Sequence, residues 1–258
     1  MTTTIDEISS SLHGAAQSAT AIAQLTNDSP AMTVDEAYTI QTAVVEHRLK
    51  SGARRVGWKM GLTSRAKMEQ VGVKEPIMGA LTSDMRVDDG ATILRSRFIH
   101  PRAEPEIAFV VGNEIDRPCS PDEVLAACSG VCAALEILDS RYRDFSFTLP
   151  DVVADNTSAA AFVLGPAISP VAGLRLESLG IVLEINGVLR ETASGGAVLD
   201  HPARSLAMLT AMLARRGERL LPGDIVLSGG ATAAMPLSPG DHVRARIEQL
   251  GAVEFFVA

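Results

Sequence analysis

Apolar positions along this chain follow two regimes. Up to about residue 50 they recur at helical spacing, and from residue 54 onward they come in short runs separated by turn residues. In the first regime Thr4 and Glu7 form a capping box for a helix reaching about Leu25, where Asn27-Asp28-Ser29-Pro30 stops it. Thr33 and Glu36 form a second box, opening a helix to about Lys50 with Ala37, Ile40 and Val44 on one face. The expected organisation is an N-terminal helical region, residues 1–52, leaning on a main body, residues 53–258.

In the main body, residues 54–62 read as a short strand, and Thr63-Ser64 can cap a helix through about Gln70. Lys67 on that helix and Lys74 after it are expected in solvent. Residues 75–81 read as a loop able to cover a site. Residues 107–111 are a continuous apolar run of the kind that becomes a buried strand. Ser120-Pro121-Asp122-Glu123 supplies cap, proline and glutamate for a helix to about Ser129, which leads into a second apolar run around Glu136. Asn186-Gly187 marks a hairpin within residues 181–191. Pro202 opens a helix with Leu206, Leu209 and Leu213 on one side, closed by Arg215, Arg216 and Gly217. Residues 223–232 read as a strand running into a glycine-rich turn.

Length and composition narrow the classes. The 258 residues suit one large domain, or one domain with a helical extension. With 47% hydrophobic and 21% charged residues, the chain is not a disordered one. A net charge of -8 and the lack of a lysine and arginine run remove nucleic acid as a partner. No stretch approaches the roughly 18 apolar residues of a membrane span, and the N-terminus lacks a basic and then apolar signal, so no membrane contact and a cytoplasmic location are expected. Cys119, Cys128 and Cys132 are odd in number, have no second ligand pair at zinc spacing, and read as small core residues.

The candidate chemistry centres on His100-Pro101-Arg102-Ala103-Glu104-Pro105-Glu106. A strand's period of two points Glu104 and Glu106 the same way, roughly 7 Å apart along the backbone. Glu136 sits in a run where every neighbour is apolar. Like charges at the edge of a core need a positive partner. Magnesium or manganese, which take oxygen ligands and keep positions open for water or substrate, suits three carboxylates. The alternative is that Glu104 and Glu106 are strand-edge charges and Glu136 pairs with an arginine. Lys59, between Trp58 and Met60, either meets a carboxylate or an anionic ligand, or lies on the wet face of an edge strand. Asp139 and Arg141 are candidates for a structural ion pair; Asp155, Asn156 and Ser158 are either site groups or turn formers bonded to their own backbone. Backbone amides at Gly229-Gly230 can hold a substrate carboxylate. There is no phosphate-loop lysine and no dinucleotide fingerprint.

Lys59-Met60-Gly61-Leu62-Thr63-Ser64, the His100 to Glu106 stretch, Asp139-Ser140-Arg141-Tyr142 and Val153-Ala154-Asp155-Asn156-Thr157-Ser158 together resemble the 2-keto-4-pentenoate hydratase and 4-oxalocrotonate decarboxylase family. The resemblance runs from about Met32 to the C-terminus and includes the Gly229-Gly230 turn. Ser140-Arg141-Tyr142-x-x-Phe145-x-Phe147 and Val152-Val153-Ala154-Asp155-Asn156 stand nearer its decarboxylase branch. Pro105, where relatives often carry alanine, is a departure that removes one backbone donor and leaves the carboxylates untouched. The resemblance implies an α+β fold similar to the fumarylacetoacetase C-terminal domain, a mixed and strongly curved β structure with flanking helices. It implies magnesium or manganese held by Glu104, Glu106 and Glu136, and an active-site Lys59.

The implied reaction is decarboxylation of the 2-keto diacid 2-oxo-3-hexenedioate to 2-hydroxypenta-2,4-dienoate in the meta-cleavage route for catechols. The pathway hydratase is the implied protein partner, and a homo-oligomer is expected. In that chemistry the metal is a Lewis acid for the charge left on the keto oxygen. Lys59 adds a second positive group, Asp155 and Ser158 position water or relay the proton, and Asn156, Gly229 and Gly230 contact the substrate. Three rivals stay open: a hydratase of the same family acting on 2-hydroxypenta-2,4-dienoate, a fumarylacetoacetase-type hydrolase using His100, and a non-catalytic partner of such an enzyme. Intact Glu104, Glu106, Glu136 and Lys59 speak against the last.

Overall fold

In the computed structural model, which describes residues 4–64, 68 and 75–258, both N-terminal capping boxes form: Thr4 caps α1 (Ile5–Ser18) and Thr33 caps α2 (Val34–Lys50). Helix α1 stops short of Leu25 because Ala19 turns left-handed at φ 48°. Ile22 then exchanges backbone hydrogen bonds with Arg141 and Arg143, so its apolar spacing serves a loop packed on the body rather than a helix. Helix α2 is tied down in the same way. Gln41 donates its side-chain amide to the carbonyls of Met78 and Val153, and the Tyr38 hydroxyl accepts from the Met78 amide. Leu12, Ala37 and Ile40 belong to the same hydrophobic cluster as the strands.

The larger sheet is mixed and runs in the order β2 (Ile77–Thr82), β1 (Arg55–Gly61), β10 (Ile225–Leu227), β5 (Arg102–Val111), β6 (Cys128–Leu138), β7 (Ala159–Leu164), β3 (Arg86–Val87), with β11 (Met235–Pro236) on β5. Strand β1 is parallel to β10 and β3 to β7; the other pairs are antiparallel. A second sheet, β4 (Thr92–Ile93), β13 (Gly251–Val257), β12 (His242–Ile247), β8 (Gly180–Ile185), β9 (Val188–Ser194), lies against β5, β6 and β7 through β12 and β13. Helices α3 (Pro121–Ala127) and α5 (Pro202–Ala214) pack on each other, and α4 (Leu149–Ala154) packs on α2. No described helix is long and apolar enough to cross a membrane.

Residues 77–81 of the expected loop are strand, not lid. All six residues of β2 are buried, so the run carries no polar alternation, and Pro76 and Gly79 read locally as breakers. Gly79 is there for space: a Cβ would stand 2.6 Å from the Asn156 carbonyl oxygen. The expected helix beyond Ser64 lies largely outside the described residues, as do Lys67 and Lys74. Helix α3 ends at Ala127, and Cys128 already opens β6. The hairpin forms as expected, with Asn186 and Gly187 both left-handed at φ 57° and 73°. Strands β12 and β13 were not among the expected elements, although Val243, Ala245 and Ile247 alternate inward with Arg244 and Arg246 outward.

Candidate active site

The antiparallel register of β5 and β6 sets Glu104 directly opposite Glu136, and Glu106 follows two residues on, on the same face. One oxygen from each carboxylate lies within 4.8 Å of the others. Glu106 and Glu136 are fully buried, and Glu104 is 7% exposed. Pro105 stands between the two acids opposite Leu135, and its carbonyl accepts from the Ala231 amide.

Lys59 is not on an edge strand. Strand β1 is flanked by β2 and β10, and Lys59 is 2% exposed. Its ammonium lies 2.8 Å from Glu136 Oε2 and donates to the Thr157 carbonyl at 3.2 Å. From β1 to β6 there are three inter-strand steps. In a flat sheet these would span roughly 14 Å, beyond the reach of a lysine. The contact therefore depends on the curl of the sheet, and Glu136 is paired with a lysine rather than with an arginine.

Burial, then repulsion from Glu136 and Glu104, pushes the Glu106 carboxyl well above the usual carboxylate range, against the pull of Lys59 and of the Gly229 amide. Glu136 is pushed up by burial as well, and Lys59 is the chief restraint on that rise. Glu106 Oε1 and Glu136 Oε1 have no hydrogen-bond partner among the described residues. Such a cluster gains either by taking up protons or by taking up a cation, and an oxygen-only donor set suits a hard divalent ion.

The other expected site residues divide. Gly229 donates its amide to Glu106 Oε2 at 2.7 Å, so that donor holds an enzyme carboxylate instead of a substrate carboxylate. Its φ of 106° and its packing on Thr63 leave no room for a side chain. Gly230 lies against Glu104: a Cβ there would be 1.8 Å from Glu104 Oε2. Asp155, expected to handle water or a proton, is fully buried and spent on Arg141, whose guanidinium also donates to the carbonyls of Asp155, Asp139 and Ala159. Burial lifts Asp155 to about 6 in spite of that partner. Arg141 thus pairs with Asp155 and not with Asp139, whose carboxylate accepts the amides of Ile99 and His100. Asn156, expected among the substrate contacts, commits its amide to Ala80: Oδ1 accepts from the Ala80 N–H at 2.8 Å and Nδ2 donates to its carbonyl at 2.9 Å. The Ser158 hydroxyl is buried without a partner among the described residues. His100 packs its ring on Phe145.

Asn156, Thr157 and Ser158 are consecutive left-handed residues, with φ 48°, 53° and 56°. A left-handed non-glycine residue costs on the order of 1–2 kcal/mol, most for a β-branched one, so the turn must be held by its surroundings. Thr157 was not expected as a site residue. It acts on Lys59 through its backbone carbonyl, which every residue has, so its residue type carries no signal.

The fumarylacetoacetate (FAA) hydrolase C-terminal family matches residues 37–258. The chain belongs to this family. It is 45% identical over 251 residues to a 4-oxalocrotonate decarboxylase of Pseudomonas sp, covering 97% of each chain. It is 38% identical over 249 residues to a 2-keto-4-pentenoate hydratase of Paraburkholderia xenovorans (strain LB400), covering 96% and 93% of the two chains. A solved 4-oxalocrotonate decarboxylase from Pseudomonas putida G7, complexed with magnesium and adipate, superposes at a TM-score of 0.96 with 39% identity over 98% of this chain and 97% of that one. The expected mixed α+β architecture is that of this family.

Proposed function

We propose that this chain is a divalent-metal-dependent carbon-carbon lyase that converts 2-oxo-3-hexenedioate (4-oxalocrotonate) to 2-hydroxypenta-2,4-dienoate and carbon dioxide. The observation that carries the reading is the buried Glu104, Glu106 and Glu136 cluster beside the Lys59 ammonium, in a chain 45% identical to a 4-oxalocrotonate decarboxylase. Those three glutamates would hold magnesium or manganese; the orphaned oxygens of Glu106 and Glu136 support the assignment. When bound, the ion supplies Lewis-acid stabilisation for charge that collects on the keto oxygen of the substrate.

The chain's own groups fit the rest of the reaction. The bond from C5 to the distal carboxylate breaks, its electron pair moves through the C3–C4 double bond to the keto oxygen, and that oxygen takes a proton. Lys59 brings a fixed positive charge and N–H donor to the ketoacid end, in a site where low exposure strengthens its field. Ser158, with a buried hydroxyl, is assigned to substrate contact or proton delivery. Asp155 is assigned a structural part, because Arg141 occupies its carboxylate. Adipate in the Pseudomonas putida G7 relative is a saturated diacid of the same carbon count as 2-oxo-3-hexenedioate, which supports a six-carbon diacid substrate.

A hydratase acting on 2-hydroxypenta-2,4-dienoate is the second reading, supported by the 38% identical hydratase. Hydration asks for a carboxylate placed to activate water, and the sequestration of Asp155 favours decarboxylation. We further place the protein in the cytoplasm as a homo-oligomer acting beside the hydratase that consumes its product, with residues 1–52 as a helical support for β2.

The test is carbon dioxide release from 2-oxo-3-hexenedioate by the purified chain and by Glu106→Gln. Release that requires added magnesium or manganese and falls by about 1,000-fold or more in the variant, as for loss of a several-kcal/mol electrostatic contribution, is expected. Consumption of 2-hydroxypenta-2,4-dienoate without carbon dioxide release from the diacid would move the assignment to the hydratase.

A further inference from the structure

The ammonium of Lys59 is ion-paired with Glu136 Oε2 at 2.8 Å and donates a hydrogen bond to the Thr157 carbonyl at 3.2 Å. An ammonium carries three N–H donors, so an ion pair on one side and a hydrogen bond on the other set its direction and leave donor capacity for a further partner. The Thr157 carbonyl is itself presented by an unusual piece of backbone, the left-handed run Asn156 to Ser158. That run is gripped from β2 at three points. Asn156 pairs with both backbone groups of Ala80, in the manner of an added strand, and the Thr157 hydroxyl donates to the Met78 carbonyl at 2.6 Å. Two glycines let it come so close: a Cβ on Gly79 would stand 2.6 Å from the Asn156 carbonyl oxygen, and one on Gly61 would stand 2.8 Å from Thr157 Cγ2.

We propose that Asn156 and Thr157 are positioning residues for Lys59: by locking a left-handed turn onto β2 they set the Thr157 carbonyl as the hydrogen-bond acceptor that, with the Glu136 ion pair, orients the ammonium toward the reacting ketoacid. The proposal rests on the reading of Lys59 as the cationic group of the reaction. A residue that only held the fold together would lower stability and substrate turnover without a pattern. A residue that aims Lys59 lowers kcat, because the oriented N–H is used as charge develops, and leaves KM nearly unchanged.

The variants are chosen to spare the backbone. Asn156→Gly keeps the left-handed conformation without strain while deleting both bonds to Ala80. Thr157→Val keeps the shape and deletes the hydroxyl, and Thr157→Ser restores it. The measurements are kcat and KM for carbon dioxide release with saturating magnesium, the manganese dissociation constant by electron paramagnetic resonance, and a crystal structure of Asn156→Gly. For Asn156→Gly and Thr157→Val, kcat is expected to fall by about ten- to a hundredfold, in line with an ångström-scale misplacement. KM and the manganese constant should change by about threefold or less, Thr157→Ser should recover most of the activity, and Lys59 Nζ should move off the Thr157 carbonyl. Unchanged kcat, a proportionate rise in KM, equal loss in Thr157→Ser, or a Lys59 that stays in place would each overturn the proposal. If the wild-type chain releases no carbon dioxide, the assigned reaction fails instead, and the position of Lys59 in the variant crystal still decides the positioning claim.

Discussion

Lys59→Met replaces a buried ammonium by an apolar group of similar length and asks what that charge does for the metal-free protein. The pair is 2.8 Å apart, with side-chain exposures of 3% and 1%, so solvent screens it little. At an effective dielectric near 20 the attraction is about 6 kcal/mol before desolvation is counted, and stranding one partner of a buried pair typically costs ~3–5 kcal/mol. The expected loss of stability without metal is therefore about 3–5 kcal/mol at neutral pH. The loss has a pH signature. Lys59 restrains the upward shift of Glu136, so removing it lifts the Glu136 carboxyl further above its ordinary value of 4.5. An acid raised in the folded state holds its proton more tightly than in the unfolded chain. Its destabilising effect is thus absent below the unfolded value and grows as pH rises through the raised one. The penalty in Lys59→Met should shrink as the pH is lowered from 8 towards 5.

A divalent cation supplies the charge that the variant lacks, so magnesium should restore stability more in Lys59→Met than in the wild type, by the linkage of binding to folding. The assay is urea unfolding of both proteins in chelator and in excess magnesium, at several pH values. A deficit that is the same with and without magnesium, or the same at pH 5 and pH 8, would refute the account, because it would mark Lys59 as a packing residue whose charge is not coupled to the acids.

Two further outcomes follow from the same geometry. Gly230→Ala places a methyl 1.8 Å from Glu104 Oε2, and the flexible carboxylate rather than the backbone should give way; the fold should persist in circular dichroism while magnesium affinity drops by about 10–100-fold in calorimetry, comparable to loss of an outer-sphere support. Burial raises both Glu106 and Glu136, with repulsion from Glu136 and Glu104 adding to it at Glu106 and from Glu104 at Glu136, so metal binding at the cluster is expected to compete with protons. Magnesium binding should weaken as pH falls and should release protons, seen as a binding enthalpy that depends on the ionisation enthalpy of the buffer.

The acids were legible in the sequence because their relation is local or nearly so. Period two put Glu104 and Glu106 on one face, and an apolar run around Glu136 marked a buried strand whose charge needed either a metal or a cationic side chain. Both N-terminal capping boxes, the Asn186-Gly187 hairpin and the helix at Pro202 were legible for the same reason. Strand β2 was hidden because burial on both faces removes alternation, and its glycine answers a backbone brought from residue 156. The partner of Arg141 was equally hidden: Asp139 is nearer in sequence, yet its carboxylate turns to the amides of Ile99 and His100 and leaves Asp155 for the guanidinium.

The partner of Lys59 is the least local of these relations, and it shows how the fold makes the site. Glu136 and Thr157 come within 2.8 Å and 3.2 Å of one ammonium only because the sheet curls across three inter-strand steps and because a strained turn is clamped to its edge strand. Among the described residues the three buried acids face one ammonium, that of Lys59, and burial together with repulsion from Glu136 and Glu104 raises the Glu106 carboxyl. Each carboxylate left with an unpaired oxygen opposes folding by a desolvation cost of about 1–3 kcal/mol or more. A fold that kept those acids only for its own stability would do better with apolar residues of the same volume. On the proposed assignment, an ion held by these acids would offset that cost, and the hydrogen bond from Gly229 to Glu106 already fixes one of the carboxylates that would hold it.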